Sequence, residues 1–415
     1  MYLNEQTMTE GIWAYIFFFV ALEPAAFSHF DIICDAFVIA QKVMFGIALY
    51  FWVTGMTRER ARNSRICIAL IVYYAYLYYN TSIHNGRTHL VLDQAIQFVG
   101  FCLYLDLVLK RNPRELFRSA LNILVLYVGI NCLLVYVMPN GLYRTSYFSN
   151  NYLLGYDNQN INFMLPAMVL VLLKHVSYRK CREQIVFVFA LCWLTAIRIW
   201  SGMTLMIVGL VSVMAFFCLL SERKGKLWKL IPGNLVNLFT LLFADIFANY
   251  ALVILRLQNR FQYLIENVLG KDLTLSRRIY IWDRTLDIVK QNPWFGYGRD
   301  AYAARAMKIS AMRTVKYKSN SPAGLHAHNR FLEVTYLGGL VLLAWFLGML
   351  FYAAARLFPL RRTRFAKILS LGIFFYLIGM LTEFYDYCIF FWGMLVIAEN
   401  ARHLLAQLSP SEIGQ

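Results

Sequence analysis

The sequence predicts an all-α polytopic membrane protein with about twelve transmembrane helices and one large extracytoplasmic loop between the ninth and tenth spans. Three observations predict it. Hydrophobic residues make up 60% of the 415 positions and charged residues 15%, with a mean hydropathy of +0.52, a composition suited to lipid rather than water. Apolar stretches of roughly 17–25 residues, long enough to cross about 30 Å of hydrocarbon, recur along the whole chain. Basic residues cluster in alternate connections, as the positive-inside rule requires of a multi-pass topology.

Hydropathy places the spans near 11–30, 32–54, 66–82, 89–109, 118–138, 160–175, 184–200, 203–221, 231–256, 328–355, 365–382 and 386–405. The first stretch, "GIWAYIFFFVALEPAAF", lacks a basic leader and carries Glu23 and Pro24 where a cleavable signal would have small residues, so it reads as a retained span. The seventh and eighth spans are divided by nothing longer than "RIWSGM". Cys34, Cys102, Cys132, Cys192, Cys218 and Cys388 lie in apolar runs without a CxxC pair, which makes them packing residues rather than a disulfide or zinc framework. Residues 1–415 thus read as a single integral membrane domain.

Connections after the second, fourth, sixth, eighth and tenth spans carry 21 of the 40 Lys and Arg residues, from Arg58 in the first to Lys367 in the last. They are therefore expected on the cytoplasmic side, with both termini. The odd-numbered connections are poor in basic residues, with one exception. Between Arg256 and Arg330 stand 14 Lys and Arg against Glu266, Asp272, Asp283, Asp287 and Asp300, a balance of +9. Long loops cross regardless of charge, so the topology stands. The expected partners of this outer surface are anionic: headgroups of the bilayer, or an anionic ligand, rather than nucleic acid.

Within this loop, 257–327, the segment "LSRRIYIWDRTLDIVKQNPWFGYGRD" places Ile279, Trp282, Leu286 and Val289 at helical spacing, starts at Ser276 and stops at Asn292-Pro293 before Gly296 and Gly298. This predicts a short amphipathic helix over about 276–291, lying at the membrane surface.

Four groups of residues could carry chemistry. Arg277 and Arg278 open the loop helix, where guanidinium forks and free N–H groups suit phosphate oxygens; interfacial arginines are the alternative. In "HAHNRFLEVTYLGGLVLL", His328 stands at the mouth of the tenth span, where the helix dipole opposes a further positive charge and favours a proton-accepting ring. Asn329, Arg330 and Glu333 follow within about a turn, able to orient that ring, bind ligand, or cap and pair. The polar run "GYDNQNINF" carries Asn160, whose amide could bridge sugar hydroxyls or serve an ordinary turn, and "NTSIHNGRTH" has the same ambiguity. Among acids near or within spans, Glu23, Asp93, Asp245, Glu383 and Asp386 could line a pathway or act as a base. No nucleotide-binding or metalloprotease motif occurs, and the outer loops lack the carboxylate pair that holds Mg²⁺ beside a diphosphate, so neither metal nor cofactor is expected.

Over roughly 270–345, "SRRIYIW", "NPWFGYG" and "HNRFLEVTYLGGLVLL" resemble, in that order and after a ninth span, the motifs of the O-antigen ligase and polymerase superfamily of bacterial membrane glycosyltransferases. The resemblance implies an inverting, metal-independent transfer of glycan from undecaprenyl diphosphate on the extracytoplasmic face of the bacterial cytoplasmic membrane. It maps the lipid-diphosphate arginine onto Arg278 and the histidine proposed as base or phosphate ligand onto His328. Arg277 stands where the family has glycine, and "RIWSGMT" lacks the second arginine motif, which Arg198 could replace. The resemblance implies lipid-linked oligosaccharide as donor and acceptor and a chain-length regulator as partner. A polymerase of capsule, exopolysaccharide or O-antigen is the reading preferred, a ligase acting on lipid A core its rival. A transporter of lipid-linked sugars, resting on Asp93 and Asp245, would require repeats and broken helices near mid-membrane.

Overall fold

The computed structural model describes residues 2–58, 64–145, 150–178, 180–223, 232–263, 267, 278–299, 327–381 and 388–408. Ser276, Arg277, His326, Glu383 and Asp386 lie outside them. Among the described residues the regular structure is helical: α1 (Tyr2–Ala21), α2 (Asp31–Arg58), α3 (Arg65–Ile83), α4 (Thr88–Arg111), α5 (Leu121–Val137), α6 (Ile161–Ser177), α7 (Arg182–Ile199), α8 (Gly202–Arg223), α9 (Leu238–Asn249), α10 (Arg278–Val289), α11 (Arg330–Leu357), α12 (Arg364–Met380) and α13 (Ile389–Leu408). A π turn over Leu116–Ala120 leads into α5, and another over Tyr250–Ile254 prolongs α9. Asp31–Gly55, Arg65–Ile83, Thr88–Arg111, Leu116–Val137, Gly202–Leu220 and Arg330–Leu360 are long and apolar enough to cross a membrane, and Gly11–Ala21, Ile161–Ser177 and Leu238–Ile254 are shorter apolar helices. The chain is a multi-pass membrane protein.

The helices bury one face and leave the other apolar. Ile39, Leu133, Val186, Phe243 and Phe247 are all more than 60% exposed, a surface that suits acyl chains and would be costly in water. Lipid removes most of the hydrophobic drive for helix association, so close packing has to hold the bundle. Gly393 of α13 lets Phe101 of α4 approach so closely that a methyl group there would sit 2.7 Å from the ring. Helix α6 lies deepest, with every residue from Met164 to Leu173 buried. Pro166 within it has no N–H to give the carbonyl of Asn162 one turn back; the Tyr376 hydroxyl of α12 donates to that carbonyl instead, at 3.4 Å.

Two carboxylates, Asp106 buried and Glu399 half-buried, fasten one end of the bundle. Glu399 of α13 accepts from the backbone N–H groups of Arg65 (2.9 Å) and Ile66 (3.1 Å), satisfying orphan donors at the start of α3, and from the Tyr352 hydroxyl of α11 (2.9 Å). Asp106 of α4 accepts from Trp52 Nε1 and Asn400 Nδ2, both at 3.0 Å, and from Lys110 Nζ at 2.7 Å. Such charges are stable inside because each is hydrogen-bonded several times over.

Within the segment expected to be helical over about 276–291, the structure has α10 over Arg278–Val289. Its buried face differs from the expected one: Ile281, Trp282, Thr285 and Ile288 are buried, while Ile279, Leu286 and Val289 are partly covered. The reason is that α10 packs against two apolar clusters at once, Ile288 with the main core and Trp282 with a smaller cluster.

Candidate functional site

Helix α11 is not one continuous helix. Gly338 (φ −138°) and Gly339 (φ 67°) break α11 into residues 330–337 and 340–357. A broken helix leaves carbonyls orphaned before the break and N–H groups after it. The turn 292–299, which follows α10, supplies both kinds of partner. Leu340 N–H donates to the Pro293 carbonyl (2.8 Å) and Val341 N–H to that of Trp294 (3.3 Å), while Tyr297 N–H donates to Tyr336 (3.0 Å) and Gly298 N–H to Leu337 (2.8 Å). Glycine is required at 339 twice over: its φ is left-handed, and a Cβ would lie 2.1 Å from the Trp294 carbonyl.

Helices α3 and α4 hold this joint from the other side. Asn80 Nδ2, buried, donates to the carbonyls of Leu337 (2.7 Å) and Phe295 (2.8 Å), and the Tyr76 hydroxyl donates to Gly338 (3.0 Å). Arg299 N–H donates to Thr81 Oγ1 at 3.0 Å, and Arg299 Nη1 to Gln94 Oε1 at 2.6 Å. The ambiguous segment "NTSIHNGRTH" thus forms part of a clamp on the turn.

The first half of α11 presents the histidine. Asn329 is the N-cap, its Oδ1 accepting from Leu332 N–H at 3.0 Å, and its amide nitrogen donates to Asn249 Oδ1 (2.8 Å) and to the Leu381 carbonyl (3.0 Å). His328 precedes it with φ 49°, a left-handed conformation uncommon outside glycine and typical of positions that surrounding structure over-determines. Arg330 is buried, its guanidinium 5.4 Å from the Phe346 ring centroid and 5.8 Å from that of Trp392. Glu333 is buried one turn on and accepts from Ala327 N–H at 2.6 Å, so it braces the backbone that leads into His328.

Helix α10 joins this corner through Trp282, fully buried in a cluster with Val253, Ala327 and Leu332. Trp282 therefore packs beside the residues flanking His328, and Arg278, half-buried, opens the same helix. Arg256, after α9, lies over the Trp282 ring with 5.9 Å to the centroid and pairs with Asp283.

Two further candidates lie elsewhere. The Asn160 amide is wholly buried and engaged at both ends, accepting from Asn131 Nδ2 (2.7 Å) and donating to the Tyr156 carbonyl (3.0 Å). Arg198 is exposed in the last turn of α7, within electrostatic reach of Tyr152. Among the described residues neither makes a polar contact with α10 or α11. Of the acids near or within the apolar runs, Asp93 is exposed and pairs with Lys42 at 3.5 Å, and Glu23, half-buried, accepts from Gln41 at 3.0 Å. Asn249 and Gln94 carry no sequence signal that would single them out, and Asn80 is marked by nothing more specific than its place at the head of "NTSIHNGRTH"; their roles come from partners distant in the chain.

Residues 184–347 match a family model described as O-antigen ligase. That interval includes Arg198, all of α10, the turn 292–299, His328 and the break in α11. The chain is also similar to the exopolysaccharide production protein ExoQ of Rhizobium meliloti (strain 1021), 35% identical over 92 residues. This match covers 21% of each of the two chains, so it spans about a fifth of the length of that relative.

Proposed function

We propose that the chain is a member of the O-antigen ligase and polymerase superfamily, a reading supported by the family match over residues 184–347 and the likeness to ExoQ, and that it is an inverting glycosyltransferase that joins undecaprenyl diphosphate-linked repeat units into a surface polysaccharide. The observation that supports this most is the burial of Trp282 in one apolar cluster with Ala327 and Leu332. It sets an arginine-led helix beside the histidine-bearing terminus of α11, inside the region shared with the family. The loop 257–327 is taken to face away from the cytoplasm.

In this reading Arg278, with Arg277 beside it in sequence, binds the diphosphate of the donor, where guanidinium forks offset the charge that grows on the leaving group. An acceptor hydroxyl attacks the anomeric carbon as the bond to the diphosphate breaks. The electron pair leaves with undecaprenyl diphosphate, and the hydroxyl proton passes to His328. Asn329 and Glu333 hold the backbone on both sides of that histidine, and Arg330 sets the positive potential behind it. Binding energy from sugar and diphosphate supplies the positioning.

Polymerase and ligase differ in the acceptor. The likeness to an exopolysaccharide production protein favours chain growth, while the description of the family model favours transfer to lipid A core. Purified protein given lipid-linked repeat units is expected to form longer lipid-linked chains without lipid A core. Product that appears exclusively when core is added would replace polymerase by ligase, and no transfer to either acceptor would defeat the proposal.

A further inference from the structure

The segment after α9 and the face of α10 against it hold four buried polar atoms with no hydrogen-bond partner: Arg256 Nη1, Gln258 Nε2, Gln258 Oε1 and Trp282 Nε1. Gln258 is 4% exposed and Trp282 fully buried, so neither is turned to bulk solvent. Buried polar groups in folded proteins are almost always satisfied, and a concentration of exceptions asks what completes them. Arg256 and Trp282 face each other, and Gln258 follows close in the chain. The Arg256 guanidinium covers the Trp282 ring, and Gln258 follows Arg256 by two residues in the short 3-10 turn Leu257–Phe261. Arg256 itself takes a left-handed backbone, φ 54°, to enter that turn, a conformation that needs support from elsewhere.

We propose that Arg256, Gln258 and Trp282 form a subsite for a neutral saccharide, the sugar next to the diphosphate in the donor or its counterpart in the acceptor. This rests on the glycosyltransferase reading and deepens it. The donor set decides the class. An indole N–H and a guanidinium N–H donate, while the amide both donates and accepts, so the group matches hydroxyls, which do both. A phosphate would meet the Gln258 carbonyl oxygen as a repulsive neighbour. The charge of Arg256 is already balanced by Asp283, to which it is ion-paired, whereas a phosphate site keeps its arginine charge for the ligand. Trp282 has the guanidinium over its ring, so it contributes its N–H edge rather than a stacking face. Trp282 also packs with Ala327 and Leu332, which places a sugar held by its edge near His328.

The test uses the full chain in lipid nanodiscs with Gln258→Leu, which replaces the amide by an apolar group of similar size, and Trp282→Phe, which removes the N–H and keeps a ring. The probes are the lipid-free repeat-unit oligosaccharide released from the donor, inorganic diphosphate, and the intact donor. Expected results are at least tenfold weaker oligosaccharide binding in each variant, unchanged diphosphate binding, a raised KM for the intact donor and, in Gln258→Leu, an unfolding temperature equal to or above that of the wild type. Thermal stability at or above wild type separates this from a merely structural role, because filling an unsatisfied buried position with an apolar side chain does not weaken a fold. Wild-type affinity and chain growth in Gln258→Leu, or no oligosaccharide binding to the unaltered protein at millimolar concentration, would overturn the subsite and leave the glycosyltransferase reading intact. Conversely, oligosaccharide binding that depends on Gln258 in a protein that transfers no glycan would defeat the glycosyltransferase reading and keep the subsite. Should Gln258→Leu fail to fold, Trp282→Phe decides by the same binding and kinetic measurements.

Discussion

The amide of Asn329 donates to Asn249 Oδ1 at 2.8 Å, tying the N-cap of α11 to the last residue of α9 across 80 positions of sequence. The same side chain caps Leu332 and reaches the Leu381 carbonyl, so one asparagine fixes where the backbone of His328 stands relative to two other helices.

Asn329→Ala removes the cap and orphans one buried acceptor, Asn249 Oδ1, and one half-buried acceptor, the Leu381 carbonyl. The cap is worth about 1 kcal/mol, and each orphaned acceptor adds about 1–3 kcal/mol, so a clear fall in unfolding temperature is expected with loss of glycan transfer. Asn329→Asp restores the cap, not the donation to Asn249, and is expected to recover part of the stability and little of the activity. Thermal unfolding in detergent and a transfer assay on the same samples check both; equal recovery of the two would remove any separate role for the Asn249 link.

Gly339→Ala is expected to be severe. A left-handed φ costs an L residue about 1–2 kcal/mol, and a Cβ placed 2.1 Å from the Trp294 carbonyl must push the turn away, at about 1–3 kcal/mol for overpacking. Gly348→Ala, further along the same helix with open space around it, is expected to be neutral or stabilising by about 0.5–1 kcal/mol. If the two variants melt alike, the break in α11 is not maintained by the docked turn.

Asn80→Ala frees the carbonyls of Phe295 and Leu337 and loosens the clamp without touching α10 or His328. Hydrogen exchange at the N–H groups of Tyr297, Gly298 and Leu340 is expected to rise by an order of magnitude or more, since losing about 1–3 kcal/mol at an unsatisfied acceptor raises the open population accordingly. Unchanged protection would assign the joint to the turn alone.

His328→Ala is expected to leave insertion and melting close to wild type and to lower the transfer rate by about 10²–10⁴-fold, the usual contribution of a general base. Arg278→Ala is expected to act on donor use, raising KM for the lipid-linked sugar, with Arg278→Lys recovering charge but not bidentate geometry. Normal donor kinetics in Arg278→Ala would shift the diphosphate contact to Arg277.

Much of the helical order was legible in the sequence. Apolar runs and their basic punctuation mark helices wherever composition is uniform, and "RIWSGM" proved enough for a turn, with Trp200 left-handed between Ile199 and Gly202. The stop after α10 was legible because Asn-Pro and paired glycines have local causes. The break at Gly338–Gly339 was not, because a Gly-Gly pair within an apolar run reads as a tolerated part of one span until something is seen to occupy the gap. The buried face of α10 was displaced for a similar reason: periodicity identifies an apolar face, and two flanking clusters rather than one determined which residues it covers.

By itself the sequence determined a helical membrane protein, an arginine-led amphipathic segment, and a histidine next to an asparagine at a helix start. Each depends on composition or on neighbours within a few residues. Tertiary structure alone decided that Asn80 meets Phe295 and Leu337, partners 215 and 257 residues away, that Glu333 braces its own helix entry, and that Asn160 is consumed by Asn131. Local chemistry gives a polar side chain its capacity to bond, and the packing of distant helices selects which orphaned backbone group it meets.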